Sequence, residues 1–382
     1  MPDNETREVP RQEFRIPIRT SYTGLFLETC GVEMEGVGPS THDISRLLSN
    51  CGASNEATVT RDASVEAAVS LTSSMRLNYY SYASQFIRRI DSITAGYEVV
   101  TYPLPLDVMD STVHRITDAL KASNNHFISP RASIHIHIGF AKNMALLKKS
   151  LLMGLAIDPL LFAMAGMGEQ YRGAINQSIY ARPLEGGVGV ATGDGYSHLL
   201  PERSLSTRSV NEFFLNYFIF GRTQRYHPAR YFAVNLYSIL LHGTLEFRHF
   251  NQTDNPFWIM AAVRLVHAIS ELIVFASEDE LIELRTVSVF DMSPSNINEL
   301  LYGLLSLFKK HDIDIDPSVV NNIQDILDVT PIPVFSKSPP LTHSTATFGR
   351  EGWMVRLAED PVNSGHIDIH NINNISITDE RY

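Results

Sequence analysis

Carboxylates, imidazoles and one guanidinium recur at a spacing of two residues in this 382-residue chain. Glu33 and Glu35 form one pair, His135 and His137 a second, and Glu246 and Arg248 a third, while Glu98 stands alone within Tyr97–Tyr102. Residues two apart on a β-strand share a face. Ile134, Ile136 and Ile138 then fall on the face opposite the histidines, and Leu245 and Phe247 on the face opposite Glu246 and Arg248. Burying several carboxylates together without counter-charge is costly. If these faces meet, something cationic must sit among them, and a hard divalent ion held by carboxylates meets that demand. Arg248 and the imidazoles could supply part of the charge. Each pair also has a plainer reading. Glu-x-Glu suits a solvated edge, Glu-x-Arg suits a cross-strand ion pair, and His-x-His on an Ile-rich strand suits a ligand pair and a core pair about equally. Spacing within a strand does not place one strand beside another.

Other motifs exclude more than they assign. The chain has no Walker A sequence, no G-x-S-x-G and no H-E-x-x-H. The glycine-rich stretch Gly186–Gly195 does not have the strand–glycine–helix context of a dinucleotide fingerprint; it reads as a loop, either plain surface or a flap over a site. His366-x-Asp368-x-His370 is a further period-two set, in a polar tail, and reads as an exposed strand face.

The elements that must position these residues follow from pattern. Strands are expected over Leu25–Glu35, Tyr97–Tyr102, Ala132–Phe140 and Thr244–Phe250. Helices are expected over Asp43–Leu48, around Val113, Ile116 and Leu120, and over Met144–Ala156, the last ending before Pro159. Ser209-x-x-Glu212 has the form of a capping box before another helix, and Ala229–Leu241 reads as helical up to His242-Gly243. Pro256 opens a helix whose apolar face is Ile259, Ala262, Val263, Val266, Ile269 and Ile273. Ser295–Phe308 and Pro317–Leu327 are amphipathic helices, followed by a Pro-rich break at Pro331–Pro340, and His366–Ile377 alternates like an edge strand. Segment Ser64–Ile90 carries mixed helical signals.

Composition bounds the function classes. Lys+Arg is 31 and Asp+Glu is 42, a formal charge of −11. That balance argues against a broad basic face for nucleic acid or anionic membrane. Hydrophobic residues make up 44%, enough for a sizeable core. With only Cys30 and Cys51, a disulfide framework and a thiolate zinc site are excluded. The polar N-terminus lacks a signal-peptide core. Leu151–Met167 is interrupted by Asp158-Pro159, and Phe257–Ala276 carries Arg264, His267 and Glu271, so neither reads as a membrane span. A soluble, cytoplasmic protein is the expectation.

The order of motifs resembles the amidoligase family of the carboxylate–amine ligase superfamily, relatives of glutamine synthetase and glutamate–cysteine ligase. Gly31-Val32-Glu33-Met34-Glu35 is similar to the family's G-x-E-x-E strand, and Asp62-Ala63-Ser64-Val65 to its D-G-S element, with Ala for Gly. Tyr97-Glu98-Val99-Val100-Thr101-Tyr102-Pro103 resembles the E-[LV]-V-[ST]-x-P strand, and Ser133-Ile134-His135-Ile136-His137 the G-x-H-V-H strand, with Ser for the first Gly. Tyr171-Arg172 through Asn176, Tyr180, Arg182 and Pro183 resembles an R-x-x-x-N-x-Y-x-R-P segment. Arg230-Tyr231-Phe232-Ala233-Val234-Asn235-Leu236 and Gly243-Thr244-Leu245-Glu246-Phe247-Arg248 resemble the two closing motifs.

The resemblance covers about residues 25–275. It implies an α+β fold, a glutamine synthetase-like curved antiparallel sheet with helices packed on its outer face. The implied layout is a polar tail over residues 1–22, a catalytic domain over 23–285, a helical extension over 286–345 and a tail over 346–382. It implies an ATP- and Mg²⁺-dependent ligase that joins a carboxylate to an amine through an acyl phosphate. By the same resemblance Glu33, Glu35, Glu98, His137 and Glu246 would ligate two or more Mg²⁺ ions, with Mn²⁺ a possible substitute. Arg248 would contact the transferring phosphoryl group and, with Glu246, carry catalysis. Arg172, Arg182 and Arg230 are candidates for nucleotide phosphate or substrate carboxylate. His135, as a supporting group or an extra ligand, and Asn235 complete the set. The substrates would be small-molecule or peptide carboxylates and amines, with no nucleic acid or membrane partner; a homo-oligomer is compatible. Two rivals stay open: a metal-dependent hydrolase with Zn²⁺ on His135, His137 and Glu98 or Glu246, and an inactive ligase-fold binding or assembly protein.

Overall fold

The computed structural model describes residues 28–62, 69–70, 96–123, 126, 132–141, 143–165, 181, 183–185, 208, 232–330, 332 and 376–377. Its strands are β1 (Cys30–Val37), β2 (Ala57–Arg61), β3 (Val69–Ser70), β4 (Gly96–Thr101), β5 (Ser133–Gly139), β6 (Val234–Asn235), β7 (Thr244–Asn251) and β8 (Ser376–Ile377). Its helices are α1 (Thr41–Asn50), α2 (Leu106–Ala122), α3 (Met144–Met164), α4 (Tyr237–Leu241), α5 (Pro256–Phe275), α6 (Glu278–Leu284), α7 (Pro294–Lys310) and α8 (Pro317–Val329).

Six strands form one open sheet in the order β2-β4-β1-β5-β7-β6. Every neighbouring pair is antiparallel. β3 and β8 form a separate two-residue ladder. The protein is therefore α+β. Alternation dictates which face of the sheet is covered. Val32, Met34, Tyr97, Val99, Ile134, Ile136, Ile138, Leu245 and Phe247 are all buried, and α2, α3 and α5 pack on the sheet. α7 and α8 lie against α3 and α5, so Leu304, Phe308, Ile323 and Ile326 share one core with the sheet. α5 has the length and hydropathy of a membrane span, with 67% of its most apolar window buried inside the protein.

β7 is one residue longer than its partner demands. Ile136 pairs with Phe247 but Ile134 pairs with Phe250, which is a β-bulge. Arg248 and His249 thus stand together opposite His135. At the other end of the core face, Gly36 cannot be replaced without movement, because a Cβ there would lie 2.4 Å from the Tyr97 hydroxyl.

Two expectations are corrected. The helix from Met144 does not stop before Pro159 but continues to Met164. Proline removes a backbone donor at a cost of about 3 kcal/mol. Leu160, Leu161 and Phe162 beyond it are fully buried, and burial of two such side chains offsets that cost. The helix expected over Ala229–Leu241 is instead strand β6 followed by the short α4, with residues 229–231 outside the described residues. The ladder explains this. Val234 pairs with Phe247 and Asn235 with Glu246, and the Arg248 amide donates to the Ala233 carbonyl at 2.7 Å. Long-range pairing overrides a local helical preference. Within Ser64–Ile90 only Val69–Ser70 is described, and it is strand β3 and not helix; the expectations at Gly186–Gly195, Ser209–Glu212 and His366–His370 lie outside the described residues.

Candidate metal centre

Strand register brings the period-two residues together. Glu33 pairs with His135 and Glu35 with Glu98, while His137 pairs with Glu246. Thr60 on β2 faces Glu98, and Asn235 on β6 faces Glu246. Every strand of the sheet therefore contributes a polar side chain to the face opposite the helices.

Hydrogen bonds tie the group into two halves. In the first, Arg248 Nη1 donates to Glu246 Oε1 at 2.8 Å, and Asn235 Nδ2 donates to Glu246 Oε2 at 2.5 Å. His137 Nδ1 meets Thr244 Oγ1 at 2.9 Å, and its Nε2 lies 3.2 Å from Glu33 Oε1 and 3.8 Å from Glu246 Oε1. In the second, Glu35 Oε2 accepts from the Ser133 amide at 2.7 Å and from its hydroxyl at 2.6 Å. Thr60 Oγ1 donates to Glu98 Oε2 at 3.3 Å. His135 joins the halves, with Nδ1 2.9 Å from Glu33 Oε2 and Nε2 2.8 Å from Ser133 Oγ.

The two halves differ in charge balance. Burial alone would raise Glu246, but Arg248 and the two imidazoles outweigh it and hold the carboxyl below its ordinary range. Glu33 behaves alike: burial opposes ionisation, and His137 and His135 drive it well below that range. His137 rises despite burial because Glu33 and Glu246 face it. In the other half positive charge is short. Burial, Glu33, Glu35 and Asp62 all push Glu98 well above its ordinary value. Burial pushes Glu35 up to about 7, with Asp62 adding to it and His135 and Ser133 opposing. The Arg248 guanidinium is held by Glu246 in the first half, so the other half gains most from an added cation.

The donor set fits a divalent ion. Oxygen and nitrogen atoms of Glu33, His135 and Glu246 lie within 4.8 Å of one another, as do those of Glu35, Glu98 and His135. A carboxylate-rich set of this kind suits Mg²⁺ or Mn²⁺. The two histidines qualify differently. His135 is near both sets, yet both its ring nitrogens already contact protein groups. His137 Nε2 is buried 3.2 Å from Glu33 Oε1, without hydrogen-bonding geometry towards it, so a metal could take its lone pair in place of that contact. Arg172, Arg182 and Arg230 lie outside the described residues.

Sequence reasoning missed several contributors. Ser133 and Thr244 share strand and parity with assigned residues, and that parity was the available signal; Thr60 lies on β2, which carries no assigned residue. Asp158 and His249 had no such signal. Both are fully buried on the helix side of the bulge, where His249 Nε2 meets Asp158 Oδ1 at 2.9 Å and its ring sits edge-on to Phe162. Asp158 Oδ2 also accepts from the Leu184 amide at 2.6 Å. This pair braces the strand that carries Glu246 and Arg248 from behind.

Comparison of the chain with protein-family models finds no match, and comparison with curated proteins finds none.

Proposed function

We propose that this protein is an ATP- and Mg²⁺-dependent carboxylate–amine ligase with a glutamine synthetase-like fold. The observation that supports it most is the register: Glu33 beside His135, Glu35 beside Glu98, and Glu246 beside His137, with Arg248 on Glu246. A carboxylate is a poor electrophile towards an amine, so such an enzyme first phosphorylates it, and that step brings two anions together. The face described here has residues for that task. Glu33, Glu35, Glu98 and Glu246, with His137, would hold divalent ions. Bound ions would supply the positive charge that lets phosphate oxygens approach an acidic surface. Arg248 is fixed by Glu246 and keeps 11% side-chain exposure, so an anion can reach it. It would orient the phosphoryl group and steady charge developing on it.

The reading is tested by screening carboxylate and amine pairs for ADP release, in wild type and in Glu246→Gln. ADP release that depends on both substrates and collapses in the variant is the expected result. Unchanged release in Glu246→Gln removes Glu246 from the site. Thermal shift separates the hydrolase rival. Stabilisation by Mg²⁺ with an ATP analogue supports the ligase, whereas stabilisation by Zn²⁺ alone overturns it. The hydrolase also leaves Arg248 and the Glu33/Glu35 pair without a task.

A further inference from the structure

We propose that Asp158 is a positioning residue that decides which of the two bulge residues of β7 faces the carboxylates and so places Arg248; what Arg248 then does rests on the reading above. The bulge puts Arg248 and His249 into one slot opposite His135. A bulge re-aims the side chains within it. Hydrophobicity does not choose between these two, because both are basic. A polar group on the helix side does. Asp158 is the one charged side chain among the buried residues of α3. The Leu184 amide takes its Oδ2 at 2.6 Å, which leaves Oδ1 for β7. A guanidinium pairs best with both oxygens of a carboxylate, whereas an imidazole nitrogen needs one. Asp158 therefore suits His249, whose Nε2 lies 2.9 Å from Oδ1, better than Arg248. That contact is the ring's single polar tie among the described residues, since Nδ1 is buried without a hydrogen-bond partner.

With His249 held behind the sheet, Arg248 is left on the open face, where its Nη1 donates to Glu246 Oε1. Burying a carboxylate and an imidazole together contributes little net stability beside apolar residues of the same volume. The effect of the pair is on choice. Without Asp158 the imidazole has no acceptor among the helices, both bulge residues favour the polar side, and they compete for the place beside Glu246.

Side-chain ¹⁵N NMR of the full-length, metal-free protein labelled in arginine tests this. Arg248→Lys identifies the Arg248 guanidinium signal. Asp158→Ala should shift that signal to the position of a free guanidinium, whereas a loss of packing would lower the melting point without releasing Arg248. Asp158→Ala combined with His249→Phe should restore the signal, because a phenyl ring takes the helix side without a hydrogen bond. Should Asp158→Ala not fold, His249→Ser breaks the same contact from the other side and should release Arg248 too. An Arg248 signal that keeps its wild-type position in either folded single variant overturns the inference, and so does one that the double variant leaves released. Where a carboxylate and amine pair gives ADP with wild type, Asp158→Ala should lower kcat about 100-fold with KM little changed, and the double variant should recover most of it. An unchanged kcat in Asp158→Ala overturns the inference as well. A wild type that releases no ADP with any pair overturns the ligase reading alone, and the NMR signal still decides what holds Arg248.

Discussion

The two faces of β5 are made from alternate residues of one seven-residue strand and obey opposite rules. Ile134, Ile136 and Ile138 have no exposure and meet helix side chains. Each contributes about 1.5–3 kcal/mol by leaving water. Ser133, His135 and His137 look the other way, into carboxylates whose burial costs several kcal/mol per unpaired ion. The comparison teaches how a fold can hold a charged cluster in place: rigidity is supplied by one face and used by the other. It also explains why Glu98 and Glu35 sit above their ordinary values instead of being neutralised by a local partner.

The contrast can be broken most strongly at Arg248. Arg248→Ala should lower ADP formation about 10³-fold, while Mn²⁺ binding in the same variant persists; loss of both together would mean that Arg248 holds the cluster and not the anion. Next in size is the covered face. Ile136→Ala should cost about 2–5 kcal/mol of unfolding free energy by denaturant titration, and a cost below 1 kcal/mol would show that the helices do not close on this strand.

The covered face also resists charge in a way that pH can read. His126 meets the Tyr97 hydroxyl at 2.5 Å, next in sequence to Glu98, and burial pushes its imidazole from 6.5 down to about 4. Between those values the unfolded chain binds more protons than the folded one. Stability contributed by neutral His126 is therefore complete above 6.5 and is lost as pH falls towards 4, by about 3 kcal/mol in all. The difference between wild type and His126→Asn, followed by thermal unfolding across that window, should carry this slope; parallel curves would refute it. The smallest effect is on the charged face. Glu98→Gln should stabilise the metal-free protein at pH 8 by about 1 kcal/mol, because a carboxyl held above its ordinary value loses stability as pH rises through that range. The same variant should bind Mn²⁺ more weakly. A lower melting point in metal chelator would show that Glu98 is well satisfied without a cation.

Much of this arrangement was legible in the sequence. The Ile-rich alternation around His135 and His137 named both the strand and its buried face, and the same held for Glu246 and Arg248. Pro256 and the period from Ile259 to Ile273 named α5. What the pattern could not supply was adjacency: that Glu35 faces Glu98, or that Thr60 and Asn235 complete the row, follows only from register. Val234–Asn235 was misread because a strand of two residues has no period of its own and exists through pairing with β7. β2 was missed for a related reason, since an edge strand with a half-exposed Ala-Thr-Val-Thr-Arg sequence carries little hydrophobic signal. The capping box Ser277/Glu280 that opens α6 was present in the sequence and passed over. Pro159 misled in the other direction, because a local helix breaker was weighed without the burial on its far side.

The extra residue in β7 has a consequence for how this protein can vary. In a strand that presents chemistry on one side and oil on the other, gain or loss of a single residue turns everything beyond it inside out. The bulge between Phe247 and Phe250 already absorbs one surplus residue, so a deletion of His249 alone would leave Glu246 and Arg248 on their side and Phe250 on its own. Deletion of Arg248 would restore the register equally, since both residues stand opposite His135, whereas a deletion elsewhere in β7 would turn part of the strand to the wrong face. The length of the strand is thus negotiable at one point only. A scan of single-residue deletions read by soluble yield should show tolerance at Arg248 and His249 alone, flanked by intolerant positions, with loss of the Asp158 contact marking deletion of His249.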